Sequence, residues 1–89
     1  LRKIVFWEIG VDTPCTPKTP LPEMPEIPRG SLLVISGRAP IWRYGLAFHK
    51  AHGSAAMAVG TFDPRLGIVV VASHSSEWQE GQIIDYKES

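Results

Sequence analysis

The chain has one cysteine, Cys15, among 89 residues. No internal disulfide can form, and no cysteine set has zinc-site spacing. An intracellular, cytoplasmic protein is expected. No apolar run approaches the roughly 20 residues of a membrane span, and no signal-peptide pattern is visible, so no membrane partner is expected. Nine basic and nine acidic residues leave a net charge of zero. That argues against coating long nucleic acids by bulk attraction, and no DNA partner is expected. Walker and dinucleotide fingerprints are missing, as are internal repeats and heptads. The chain opens on Leu1 rather than Met, as a fragment or processed piece of a longer protein does.

What is present fits one domain over residues 1–89. At 44% hydrophobic residues the chain folds rather than staying disordered. Its core is modest, because a short chain buries a modest fraction of its surface and 8 Pro and 8 Gly contribute little to it. Oligomerisation is therefore expected. Charge is unevenly spread. Arg29, Arg38, Arg43, Lys50 and Arg65 face a single acid, Asp63, between positions 29 and 76. A local positive field on a neutral protein suits a compact anion; an ordinary solvated surface is the plainer alternative.

Residues Lys3 to Gly10 read as a first strand. Residues 12–28 hold six of the eight prolines, which excludes a helix or central strand there. An extended connection wrapping one edge of the sheet is expected, with Cys15 inert inside it. Leu32 to Ile35 form a second strand. Pro40 suits a helix start, the apolar residues from Ile41 to His52 form one broad helical face, and Gly53 stands in stopping position. Ala56 to Phe62 form a third strand. Asp63-Pro64-Arg65-Leu66-Gly67 is a hairpin turn, Ile68 to Ala72 an apolar fourth strand, and Gln82 to Tyr86 a short last one. The expected fold is α+β: a small ferredoxin-like domain with one main helix packed on a four- to five-stranded sheet.

Candidate chemistry lies between Ile35 and His74. His49 and His52, three apart on the helix, can reach one ligand and can pass protons or bind metal near neutral pH. His74 ends the fourth strand and Asp63 ends the third. In a simple hairpin these two lie at opposite ends, so they meet across a subunit interface or serve separate sites. Ser36-Gly37-Arg38 joins a strand end to a helix start, where backbone N–H groups and a guanidinium suit a phosphate; a capped turn with a solvated arginine is the alternative. Arg65 reaches either a phosphate or an aspartate. Trp42 and Tyr44 read as core or interface more than as base platforms, and Trp7 and Trp78 as packing.

The ordered set ISGRAPIW, FHKAHG, DPRLG with VVVASH, and EGQIIDY resembles the small CRISPR-associated ring nucleases of the third Csx type, over most of residues 32–86. The resemblance implies a ferredoxin-like α+β fold and a homodimer that assembles to a tetramer or larger around its ligand. It implies cleavage of cyclic tetra-adenylate to linear di-adenylate, which switches off type III CRISPR signalling. Manganese-dependent trimming of RNA 3′ ends is also ascribed to the family. Residue by residue, the key histidine matches His52 and the key aspartate Asp63. His49, Arg65 and His74 match further polar positions, and Ser36, Gly37 and Arg38 match the ligand-holding segment. The chain departs from the family in its proline-rich connection, and it stops soon after the last strand, where relatives often continue. Some relatives are fused to an ATPase-like domain, so such a partner is allowed.

The resulting expectation is phosphodiester cleavage at a subunit interface, by in-line attack of the ring's own 2′-OH. His52, Asp63 and His49 are the expected catalytic residues. Ser36, Gly37, Arg38 and Arg65 are the expected ligand-binding ones. His52, Asp63 and His74 are an expected metal set, for Mn²⁺ or equally Zn²⁺ or Fe²⁺. The rival readings are a non-catalytic cyclic oligoadenylate sensor, a Mn-dependent 3′ exoribonuclease and a structural oligomerisation module.

Overall fold

The computed structural model describes residues 3–86. Five strands run in chain order across one sheet: β1 (Ile4–Glu8), β2 (Leu32–Ser36), β3 (Ala58–Asp63), β4 (Gly67–Ser73) and β5 (Ile83–Ile84). Strands β1, β2 and β3 are parallel, and β4 and β5 follow antiparallel. Among the described residues the one helix, α1 (Ile41–His52), connects β2 to β3. This is the expected small α+β domain, one helix on a mixed sheet, consistent with a ferredoxin-like class.

Strand parity divides the apolar residues between two cores. Trp7 and Ile9 of the first strand segment, Leu33, Ile35 and Val59 pack under α1. Leu32, Val34, Ala58, Ile68 and Val70 fill the opposite face. There Trp78, carried by the β4–β5 connection, is only 1% exposed and takes the place of a second helix. The helix buries Arg43, Ala47 and Ala51, and the two alanines allow close approach to the sheet.

The proline-rich connection does not pass around the edge as expected. It lies on the helix-side face, where Leu21, Met24 and Ile27 pack against the core beneath α1. Two parallel crossovers that step the same way across a sheet must share a face if both are right-handed. Arg43 holds the segment there. Its side chain, 3% exposed, donates from Nε to the Ile9 carbonyl at 2.9 Å, from Nη1 to that of Thr19 at 3.2 Å and from Nη2 to that of Pro20 at 3.3 Å. Arg43 is therefore spent on main-chain oxygens and adds nothing to the surface field that its sequence neighbours suggested.

Element boundaries shift by a residue or two at most strand ends, and two of the shifts have a visible cause. β3 begins at Ala58 rather than Ala56, because the Ser54 hydroxyl donates to the Ala51 carbonyl and accepts the Ala56 N–H, making a turn. β5 is only Ile83–Ile84, because the chain then leaves the ladder. Tyr86 packs instead against Phe6 and Phe62, with ring centroids 5.1 and 6.1 Å away.

Replacing Arg43 by Lys removes the planar fork and leaves the buried Ile9 carbonyl without its donor, while the less buried Thr19 and Pro20 carbonyls turn to water. An unsatisfied buried group costs about 1–3 kcal/mol, so R43K is expected to lose about that much in urea unfolding followed by tryptophan fluorescence.

Candidate functional site

Because β1, β2 and β3 run the same way, their last residues Glu8, Ser36 and Asp63 lie along one edge of the sheet. The N-terminus of α1 opens at that edge. Pro40 is its N-cap and supplies no side-chain hydrogen bond, and the first turn carries no acid. Carboxyl ends of parallel strands beside a helix N-terminus are where open α/β sheets bind ligands. A cavity of about 580 Å³ is found there, lined by Ser36, Gly37, Arg38, Glu8, Tyr44, Pro64 and the aromatic group Phe6, Phe62 and Tyr86.

The backbone of this cradle is an extension of the sheet. Beyond the strands proper, the Ile9 N–H donates to the Ser36 carbonyl at 2.9 Å and the Val11 N–H to that of Arg38 at 3.0 Å. Gly10 and Gly37 make this pairing feasible. Gly37 has φ +118°, and a side chain on it would collide with the Gly10 backbone and the Glu8 carboxylate. From the helix, the Tyr44 hydroxyl donates to the Gly37 carbonyl at 2.6 Å. Burial first, and then the nearby Glu8 charge, raise the Tyr44 pKa above its ordinary 10.0, with a hydrogen bond to Thr61 acting the other way.

At the same edge, Asp63 caps its own turn. Its Oδ1 accepts the Arg65 N–H at 2.8 Å and the Leu66 N–H at 3.2 Å, and Gly67 closes the turn at φ +103°. The Arg65 Nε is 3.8 Å from the same oxygen, and the Arg65 side chain is 88% exposed. Such an exposed pair holds little energy and leaves the guanidinium accessible to solvent.

The histidines gather at the other end. His52 and His74 have ring centroids 5.7 Å apart, where the helix ends and β4 runs out. His49 joins His52 along a shallow groove with Phe48, Val59, Val71 and Ala72. The last turn carries the basic residues His49, Lys50 and His52, and the Lys50 charge complements the helix dipole. A helix of 12 residues separates the two ends, about 18 Å at 1.5 Å per residue. The fold thus brings together His52, His49 and His74 at one end. Ser36, Gly37 and Arg38 sit at the other, with Asp63 and Arg65 on the same edge. One chain does not bring His52 to Asp63, and Asp63 and His74 do lie at opposite ends of the hairpin.

For a metal, the chain offers His52 and His74 as a pair of imidazoles. Among the described residues no group of three His, Cys, Asp or Glu side chains is placed to hold an ion. The expected set of His52, Asp63 and His74 therefore does not assemble within one chain, since Asp63 is a helix length away. Among the described residues, no helix is long and apolar enough to cross a membrane.

Glu8 and the aromatic group escaped sequence reasoning, and Tyr44, read there as core or interface, lines the cradle instead. Glu8 enters the site only because β1 pairs in parallel with β2, which places it opposite Ser36. Local pattern does not reveal that pairing. Tyr44 had a readable signal, since it stands one turn inside a helix start that follows the Ser-Gly-Arg segment.

A family model described as CRISPR-associated protein (Cas_csx3) matches residues 9–85. A curated protein of Aquifex aeolicus (strain VF5), described as an uncharacterized protein, is 45% identical over 58 residues, 64% of this chain. The match spans 50% of that relative's length.

Since the folded state raises the Tyr44 pKa, it holds the phenol proton more tightly than the unfolded chain does. Stability is whole below the unfolded value near 10 and falls as pH rises through the folded one. Thermal unfolding from about pH 9 to pH 11 is expected to show a steeper loss in the parent than in Y44F.

Proposed function

Because the chain belongs to the CRISPR-associated Cas_csx3 family over residues 9–85, we propose that it cleaves cyclic tetra-adenylate to linear di-adenylate and so ends type III CRISPR signalling. The observation that carries this reading is the cradle of Ser36, Gly37 and Arg38 opening on an aromatic-sided cavity at the carboxyl edge of the sheet. A phosphate there meets main-chain donors and the Arg38 guanidinium, and the adjoining aromatic side chains suit a base. A messenger of this kind places the chain in the cytoplasm.

The separation of the two ends shapes the mechanism. One copy holds the ring at its cradle, and a second copy brings its histidine end. The 2′-OH of the ring attacks the neighbouring phosphorus in line, Arg38 and Arg65 offset the charge on the phosphoryl oxygens, and His52 of the second copy protonates the departing 5′-oxygen. His49 and His74 orient or charge-tune His52, and Asp63 fixes the turn that presents Arg65. A ring with near-fourfold symmetry suits a symmetric homodimer or tetramer built this way. His52 and His74 of one copy and Asp63 of the other would be the residues to hold a Mn²⁺ ion at such a shared site, where it would offset phosphoryl charge. The same separation favours a second reading, in which a lone copy binds the ring without cutting it and acts as a sensor, alone or beside a fused ATPase-like domain.

The test uses the purified chain with cyclic tetra-adenylate, and with linear 3′-tailed RNA as the exoribonuclease control, in Mn²⁺ or in EDTA. Ring cleavage is expected in both conditions; loss in EDTA restores a metal to the mechanism. H52A is expected to cut at least about 100-fold more slowly with ring affinity retained, and R38A to bind about tenfold more weakly. Mixing H52A with R38A is expected to recover part of the activity, because each supplies the end the other lacks. Tight binding by the parent without cleavage leaves the sensor reading instead.

A further inference from the structure

The cradle contains a residue that does not suit a simple phosphate site. Glu8 lines the cavity with Arg38, Ser36 and Gly37, and its Oε1 accepts the Gly10 N–H at 2.8 Å. That bond lays the carboxylate against the Gly37 backbone, so closely that a side chain on Gly37 would overlap it. Among the described residues no ion pair joins Glu8 to Arg38, and Oε2 makes no hydrogen bond within the chain. Glu8 also precedes the matched residues 9–85, so the family match assigns it nothing.

A fixed carboxylate beside a phosphate repels it. The arrangement, on an exposed carboxylate, suits a ligand that carries a hydrogen-bond donor next to its phosphate. RNA has this feature at every 3′-phosphodiester, where the ribose 2′-OH adjoins the phosphorus, and DNA lacks it. Resting on the ring-cleavage reading above, we propose that Glu8 is a catalytic residue that accepts the proton of the attacking 2′-hydroxyl. The balance closes without a further reactant. The 2′-O–H proton passes to the Glu8 carboxylate, and the 2′-oxygen forms its bond to phosphorus. The bond from phosphorus to the 5′-oxygen breaks, and that oxygen takes a proton from the imidazolium opposite. The immediate product carries a 2′,3′-cyclic phosphate and a free 5′-hydroxyl. The hydrogen bond from Gly10 holds one carboxylate oxygen and leaves the other for the ribose.

The test compares the parent chain with E8Q, whose amide oxygen can still accept the Gly10 N–H, and with E8A. Single-turnover cleavage of cyclic tetra-adenylate is read across pH, together with the affinity for that ring and for its all-2′-deoxy analogue. E8Q is expected to cleave at least about 100-fold more slowly and to lose the rise of rate with pH on the acid side. Its preference for the ribo over the deoxy ring is expected to shrink, because the deoxy ring no longer meets an unpaired carboxylate. Retained binding of the ribo ring by E8Q shows that the cradle is folded. Cleavage by E8Q within threefold of the parent, with the acid-side rise intact, overturns the role of Glu8 and leaves the ring-nuclease reading standing. A parent chain that neither binds nor cuts the ring overturns that reading, and this assignment with it.

Discussion

Arg43 reaches from the buried face of the helix to three main-chain carbonyls, and the arrangement of the helix-side layer follows from it. A proline-rich segment lacks many of its backbone donors but keeps every acceptor. It therefore cannot cover a core by forming its own regular structure. Its carbonyls need donors from elsewhere, and a guanidinium offers five in a rigid plane. One side chain thus ties the end of β1 and the middle of the connection to the helix. Leu21, Met24 and Ile27 then complete the layer that a second helix provides in a fuller α/β fold.

With that layer in place, the sheet has two functionally different edges. One has strand ends, a helix start, an accessible guanidinium and a cavity partly walled by aromatic side chains. The other has three histidines at the end of the same helix. Neither edge of one chain holds both the anion cradle and the imidazoles. This separation makes a shared site between copies the economical reading of a domain with so small a core. It also explains why Asp63, at the tip of its hairpin, spends one oxygen on turn geometry and sits with the cradle rather than with the histidines.

Much of this architecture was legible in the sequence. The helix starts after Pro40 and stops at Gly53 as local chemistry requires, and the Asp63–Gly67 turn forms where its residue types demand. The opposition of Asp63 and His74 follows from counting along a hairpin. Non-local facts stayed hidden. Nothing near Glu8 in sequence says that β1 will lie beside β2, so its place opposite Ser36 was invisible. Arg43 looked like one more surface cation, because burial of an arginine depends on carbonyls that lie 23 to 34 residues away in sequence. The meeting of His52 and His74 required knowing that the end of β4 returns to the end of the helix.

The paired glycines at positions 10 and 37 have a thermodynamic consequence. A phosphate site built on a free loop loses conformational entropy when the loop is ordered by its ligand, and affinity falls accordingly. Here the backbone of the cradle is already cross-linked to the neighbouring strand extension by two main-chain hydrogen bonds and to the helix by the Tyr44 hydroxyl. Its freedom is surrendered when the domain folds, not when the ligand arrives. Under the proposed function, a ligand would meet this backbone with little reordering of the chain.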